Sequence, residues 1–353
     1  MDGAADPAEA RKAAPAETGK TGPAETGTAG PAETGKTGPA ETGTAAPAEA
    51  GKPGPAETGK TAPAEAERAG PAEAEKDGTR GARAGRNLPA AIGVGLLLGG
   101  LAIVTLFTVK ATFLVYVAAA VGIALWELSR ALGTRDIRLP LVPLAAGSVA
   151  AITLAYWGSG RALVAGLALT MIAIMAWRLP GGTAGYLRDV TAGAFALGYL
   201  PLMASFVSLM LAAPDGPRRV LVFLILVVCS DIGGYFTGTL IGRHLMVPQI
   251  SPKKTWEGFG GSALACAAAG AITVPLLLHG AVWQGLLVGV AALLAATLGD
   301  LTESMMKRDL QIKDMGTVLP GHGGVLDRLD SLALAAPVVW LLLVVFVPVA
   351  GHG

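Results

Sequence analysis

From Leu88 onward the chain alternates long apolar runs with short polar connections, and the runs are about the length needed to cross ~30 Å of hydrocarbon as a helix. The apolar pattern predicts spans over residues 89–109, 112–129, 140–157, 161–177, 191–213, 219–241, 259–279, 281–299 and 332–350. It therefore predicts an all-α integral membrane protein with about nine transmembrane helices. Several runs are rich in Gly and Ala, which lets helix backbones approach closely in lipid. Before Leu88 this pattern is missing. From Pro7 a unit such as PAETGKTG recurs every eight residues, and large apolar side chains are almost absent. Proline and glycine in each unit stop helix propagation, and nothing is available to form a core, so a disordered N-terminal repeat tail is expected. The expected organisation is a tail over residues 1–87 and a polytopic membrane domain over residues 88–353.

The tail contains a misleading match. GPAETGKT at residues 30–37 and again at 54–61 satisfies the phosphate-loop pattern G-x-x-x-x-G-K-[ST]. That pattern binds phosphate only when a buried strand precedes the loop and a helix follows it, and neither context is predicted here. No apolar core follows Met1, so the start does not read as a cleaved signal peptide.

Composition agrees with the membrane assignment: 52% of residues are hydrophobic and 15% charged. A net charge of +1 leaves no excess of cations for neutralising a nucleic-acid backbone, so nucleic acid is not an expected partner. The two cysteines, Cys229 and Cys266, lie inside apolar runs without metal-type spacing and read as packing residues. With the N-terminus in the cytoplasm, the connections bearing Arg130, Arg135, Arg138, Arg178, Arg188, Arg243, Lys253, Lys254, Lys307, Arg308, Lys313 and Arg328 all fall inside. Arg218 and Arg219 are the exception to that positive-inside arrangement. The expected localisation is thus multi-pass in the plasma membrane, with the polar loops 242–258 and 300–331 cytoplasmic.

Three stretches carry candidate chemistry. Asp231, in VVCSDIGGYFTG, stands near the end of an apolar span, where an ionisable group is costly unless it faces a cavity, a partner or a cation. In SPKKTWEGFGG, Ser251 or Thr255 can cap the next helix, Glu257 suits its first turn and Trp256 the membrane interface. Lys253 and Lys254 are left beside a helix N-terminus, a combination suited to phosphate. In GDLTESMMKRDLQIKDMGTVLPGHGGVLDRLDS, Asp327 and Asp330 share a helix face, while Asp300, Glu303 and Asp314 add oxygen donors of the kind Mg²⁺ takes. Lys307, Arg308, Lys313 and Arg328 supply charge for a polyphosphate, and the glycines of PGHGG suit a backbone that approaches a ligand. Metal-assisted chemistry on phosphates at a membrane surface follows.

At these residues the chain resembles the phosphatidate cytidylyltransferase (CDP-diacylglycerol synthase) family. The family signature S-x-x-K-R-x-x-x-x-K-D, a spacer, then P-x-H-G-G-x-x-D-R-x-D is matched at Ser304, Lys307, Arg308, Lys313, Asp314, Pro320, His322, Gly323, Gly324, Asp327, Arg328 and Asp330. DIGGYFTG and SPKKTWEG resemble further family motifs, although Thr239 stands where the family often has a basic residue. The resemblance implies that CTP and phosphatidate are converted to CDP-diacylglycerol and pyrophosphate. It implies Mg²⁺, with room for a second cation, held or oriented by Asp231, Asp314, Asp327 and Asp330. Lys307, Arg308, Lys313 and Arg328 would neutralise the triphosphate, and Lys253 and Lys254 would hold the lipid phosphate or the nucleotide. Ser304, Gly323 and Gly324 belong to the substrate-binding set, and His322 either donates to a phosphate oxygen or fixes the glycine turn. A homodimer is left open. The alternatives are a CTP-dependent lipid kinase, a cytidylyltransferase for another lipid phosphate and, more distantly, a transporter, which would be expected to show internal repeats in its membrane body.

Overall fold

The computed structural model describes residues 88–319 and 323–348. The repeat tail expected over residues 1–87, together with Pro320 and His322, lies outside them. The described residues form ten α-helices: α1 (Leu88–Thr108), α2 (Lys110–Gly133), α3 (Leu141–Trp157), α4 (Gly160–Arg178), α5 (Tyr186–Leu197), α6 (Met203–Ala212), α7 (Gly216–Ile241), α8 (Trp256–Leu278), α9 (Val282–Leu310) and α10 (Leu326–Phe346). A widened turn, Gly198–Leu202, joins α5 to α6 around Pro201, whose missing N–H cannot continue the regular ladder. Seven helical segments are long and apolar enough to cross a membrane, with α5 and α6 counting as one. Two shorter apolar helical stretches, Gly93–Thr108 and Leu141–Trp157, accompany them.

The fold departs from the predicted elements in the two polar stretches and at the last span, where α10 covers Leu326–Phe346 instead of 332–350. The polar stretch 242–258 contains a short antiparallel ribbon, β1 (Leu245–Val247) paired with β2 (Ser251–Thr255). The second departure is larger: α9 runs on as far as Leu310 instead of ending near 299. No glycine or proline interrupts residues 300–310, so the helix continues through the charged segment and stops only where Gln311 turns left-handed, at φ 57°. Asp300, Glu303 and Lys307 are therefore held on a rigid helix and not in a loop.

Small residues set the spacing of the last four helices. Gly270 of α8 faces Gly285 of α9 so closely that a Cβ on either would meet the other's carbonyl oxygen, and Gly289 lies likewise against Cys266. Gly299 of α9 lies against the backbone of Asp330 in α10, again without room for a Cβ. Ser262 of α8 donates to the Ser230 carbonyl of α7 at 2.6 Å, and the buried Cys266 thiol donates to the Leu226 carbonyl at 3.3 Å. Both cysteines are free thiols, as their spacing predicts.

Arg219, one of the residues outside the positive-inside pattern, is buried. Its guanidinium pairs with Asp215 at 2.7 Å and donates to the carbonyls of Leu343 (3.2 Å) and Val347 (2.7 Å) at the C-terminus of α10. It is an internal cap at the negative end of the α10 dipole, added to the Val347 N–H that already meets the Leu343 carbonyl.

Candidate active site

The ends of α7, α9 and α10, the ribbon and the first turn of α8 enclose one polar cavity of about 470 Å³. Asp231, Gly234 and Tyr235 come from α7, Lys253 and Lys254 from β2, Gly258 and Ser262 from α8, Asp300, Glu303 and Lys307 from α9, Asp314 from the following loop, and Asp327, Arg328 and Asp330 from α10. Local sequence explains each placement. The Thr255 hydroxyl accepts the Gly258 N–H at 3.1 Å, so Thr255 is the cap that starts α8, and β2 delivers Lys253 and Lys254 just ahead of it. Glu257 accepts the backbone N–H groups of Arg243 (3.1 Å) and His244 (3.2 Å) and meets His244 Nδ1 at 2.5 Å, which pins the entry of the ribbon. Arg308 Nε donates to the Ile250 carbonyl at 3.2 Å and ties α9 to the ribbon turn.

Inside the cavity the charges are interlocked. Lys254 Nζ is 2.6 Å from Asp300 Oδ2. Lys307 Nζ bridges Glu303 at 2.6 Å and Asp327 at 3.1 Å, so one ammonium on α9 holds a carboxylate of α10. Asp327 also accepts the N–H of Met315 (3.1 Å) and of Gly324 (2.7 Å), and it thereby ties both residues to the start of α10. Gly323 sits at φ 81°, a left-handed conformation that favours glycine, and a Cβ there would press on Asp327 Oδ2. Asp330 is buried beside the Gly299 contact, and its Oδ1 accepts the Ser331 N–H at 2.6 Å. Glu303 is 1% exposed, and its Oε1 has no hydrogen-bond partner among the described residues.

Of the residues singled out in the sequence, Asp231, Lys253, Lys254, Lys307, Asp314, Asp327, Arg328 and Asp330 line this cavity together. Ser304, Arg308, Lys313, Gly323 and Gly324 do not line it; Arg308 braces the ribbon, and the two glycines shape the loop. His322 is outside the described residues. Among the described residues, the lining carboxylates Asp231, Asp300, Glu303, Asp314, Asp327 and Asp330 outnumber the lining cations Lys253, Lys254, Lys307 and Arg328. An excess of hard oxygen donors of this kind suits a divalent cation brought in with an anionic ligand. Among the described residues no group of three His, Cys, Asp or Glu side chains stands ready as a metal cage.

One residue escaped the sequence reading. Glu127, near the end of α2, is 1% exposed, and its Oε2 accepts the N–H of Leu326, the first residue of α10, at 2.8 Å. Its carboxylate is packed against Gly316 and Gly324, and its Oε1 has no partner among the described residues. A charged residue in an apolar helix was the available signal. Its partner, 199 positions further along the chain, was not.

Comparison with known proteins gives a consistent result. Residues 89–346 match the sequence model of the Cytidylyltransferase family. The chain is 41% identical over 277 residues to "Phosphatidate cytidylyltransferase" of Mycobacterium leprae (strain TN), covering 74% of this chain and 89% of that relative. It is 40% identical over 282 residues to the protein of the same name from Mycobacterium tuberculosis (strain ATCC 25618 / H37Rv), covering 76% and 86%. A namesake from Staphylococcus epidermidis (strain ATCC 12228 / FDA PCI 1200) is 42% identical over 136 residues, covering 37% of this chain and 50% of the relative.

Proposed function

The chain belongs to the Cytidylyltransferase family, and from that membership we propose that it transfers the cytidylyl group of CTP to phosphatidate, giving CDP-diacylglycerol and pyrophosphate. The observation that carries the reading is the convergence of Asp231, Asp300, Asp327 and Asp330 with Lys254, Lys307 and Arg328 around one cavity at the ends of membrane-length helices. An oxygen of the lipid phosphate attacks the α-phosphorus of CTP, the bond to the β-phosphate oxygen breaks, and pyrophosphate leaves. A phosphate monoester has a second pKa near 6, so the nucleophile is largely ionised at neutral pH and no strong general base is required.

The work of the protein is therefore to bind, orient and neutralise. Mg²⁺ arriving with the triphosphate would be met by one or two of the lining carboxylates, Asp231, Asp300, Asp314 or Asp330, with phosphate oxygens and water completing its shell, and would supply charge neutralisation on the phosphate oxygens. Asp327 has its oxygens committed to Lys307, Met315 and Gly324, so it acts by fixing those two backbone positions and the ammonium. Lys307 and Arg328 meet the charge that builds on the departing pyrophosphate, and Lys253 and Lys254 receive phosphate oxygens once Lys254 exchanges Asp300 for the ligand. We read α1 and α3 as crossing the membrane along with the seven longer segments, with the N-terminus and the cavity mouth facing the cytoplasm. The run of Lys and Arg on the connections at one side supports that orientation.

The test is pyrophosphate release from CTP by the purified protein in mixed micelles, with and without phosphatidate and Mg²⁺, beside Asp327→Asn. Release that needs both additions and falls at least a hundredfold in the variant is expected. Transfer of the γ-phosphate to lipid without pyrophosphate would identify a lipid kinase instead.

A further inference from the structure

We propose that a second, apolar groove beside the polar cavity receives the acyl chains of the lipid substrate and sets which chain lengths are turned over; the proposal rests on the reading above. The groove has a volume of about 680 Å³ and is walled by α1, α2, α6, α7 and α10. Leu98, Ala120, Ala204, Leu224 and Leu332 are typical of its lining, which is apolar almost throughout. Tyr116 is the one phenol among the described residues of the wall, and its hydroxyl donates to the Leu98 carbonyl at 3.3 Å, so its ring is presented to the space while its polar tip is satisfied. Beside Gly99 a Cβ would meet nothing within 4 Å, so open room extends to the α1 backbone.

Two observations commit this groove to lipid tails of the substrate and not to a passive lipid of the bilayer. Arg328 lines both spaces, so one cation borders the polar cavity and the groove alike. The faces of α10 also divide at this point: Asp327, Asp330 and Ser331 line the polar cavity, while Leu329, Leu332 and Ala333 line the groove. A phosphate ester whose head sits at Arg328 has its glycerol and first methylenes where one space gives way to the other. An acyl chain that leaves a bilayer for this groove gains little hydrophobic free energy, because lipid is as apolar as the wall. Discrimination therefore arises from shape, and the small side chains of Ala120 and Ala204 decide how much chain fits.

The experiment compares kcat/KM for dioleoyl- and dihexanoyl-phosphatidate in the full chain and in Ala120→Phe, Ala204→Phe and Ala119→Phe. Ala119 neighbours Ala120 on α2 but does not line the groove. The ratio of long-chain to short-chain kcat/KM is expected to fall about tenfold in Ala120→Phe and Ala204→Phe, the scale on which a pocket resolves a methylene or two. It is expected to stay at the wild-type value in Ala119→Phe. Wild-type protein is also labelled with phosphatidate carrying a diazirine at the chain terminus, and adducts on α2 and α6 that unlabelled phosphatidate competes away are expected. An unchanged ratio in both filling variants, or adducts confined to other helices, would overturn the groove assignment while CTP-dependent turnover of dihexanoyl-phosphatidate still upheld the enzymatic reading. No turnover of either lipid with CTP would instead remove the enzymatic reading itself.

Discussion

Replacing Glu127 with alanine tests whether a residue outside the polar cavity governs its geometry. The substitution removes the acceptor of the Leu326 N–H, one of the orphan donors at the start of α10. A buried donor left without a partner costs about 1–3 kcal/mol, and hydrogen bonds to charged acceptors fall at the upper end of the scale for such bonds. Loss of the carboxylate also opens space against Gly316 and Gly324, which both pack on it. The loop and the first turn of α10 can then shift, and Asp327, Arg328 and Asp330 shift with them. A misplacement of about 1 Å costs on the order of a hundredfold in rate. Glu127→Ala is accordingly expected to lower kcat about a hundredfold and to lower the melting temperature. Glu127→Gln keeps one oxygen for Leu326 but turns an amide toward a position without an acceptor among the described residues, so it should recover part of both losses. The assay is pyrophosphate release at a temperature where size exclusion shows each variant folded, with kcat and KM for CTP measured separately. A Glu127→Ala protein with wild-type kcat, or one whose activity loss tracks only its unfolded fraction, would refute the positioning argument.

Two further outcomes follow from the same packing. Gly299→Leu places a side chain where the Asp330 backbone lies, so α9 and α10 must separate; a loss of more than tenfold in turnover and a lower melting temperature are expected, read by the pyrophosphate assay and thermal unfolding. Arg219→Leu leaves Asp215 and the carbonyls of Leu343 and Val347 without their shared donor. Breaking a buried pair from one side costs about 3–5 kcal/mol, so thermal unfolding should show a large destabilisation while the protein that remains folded keeps its KM for CTP, because Arg219 does not line the polar cavity.

The polar residues of the cavity were legible in the sequence because their chemistry is out of place. An Asp at the end of an apolar run, two lysines before a helix cap, and carboxylates interleaved with cations each carry a local cost that solvent-facing loops do not explain. Helix boundaries were less legible. Reading apolar windows ended α9 near 299, although the stretch from Asp300 to Leu310 contains no residue that breaks a helix. Arg219 read as a violation of a charge rule because its partners, the last carbonyls of α10, lie 124 and 128 residues away. The apolar groove could not be read at all, since it depends on which faces of five helices meet, and every one of those faces is apolar.

α10 is held at both ends by charges opposite to those of its dipole: the Glu127 carboxylate accepts its first N–H, and the Arg219 guanidinium grips its last carbonyls. A helix restrained in this way cannot slide along its own axis without breaking a buried polar contact at one end. Asp327 and Asp330 therefore keep a fixed depth relative to α2 and α7, and the reacting phosphates must come to that level. α1, by contrast, packs mainly on α2 and lacks any comparable anchor among its described side chains.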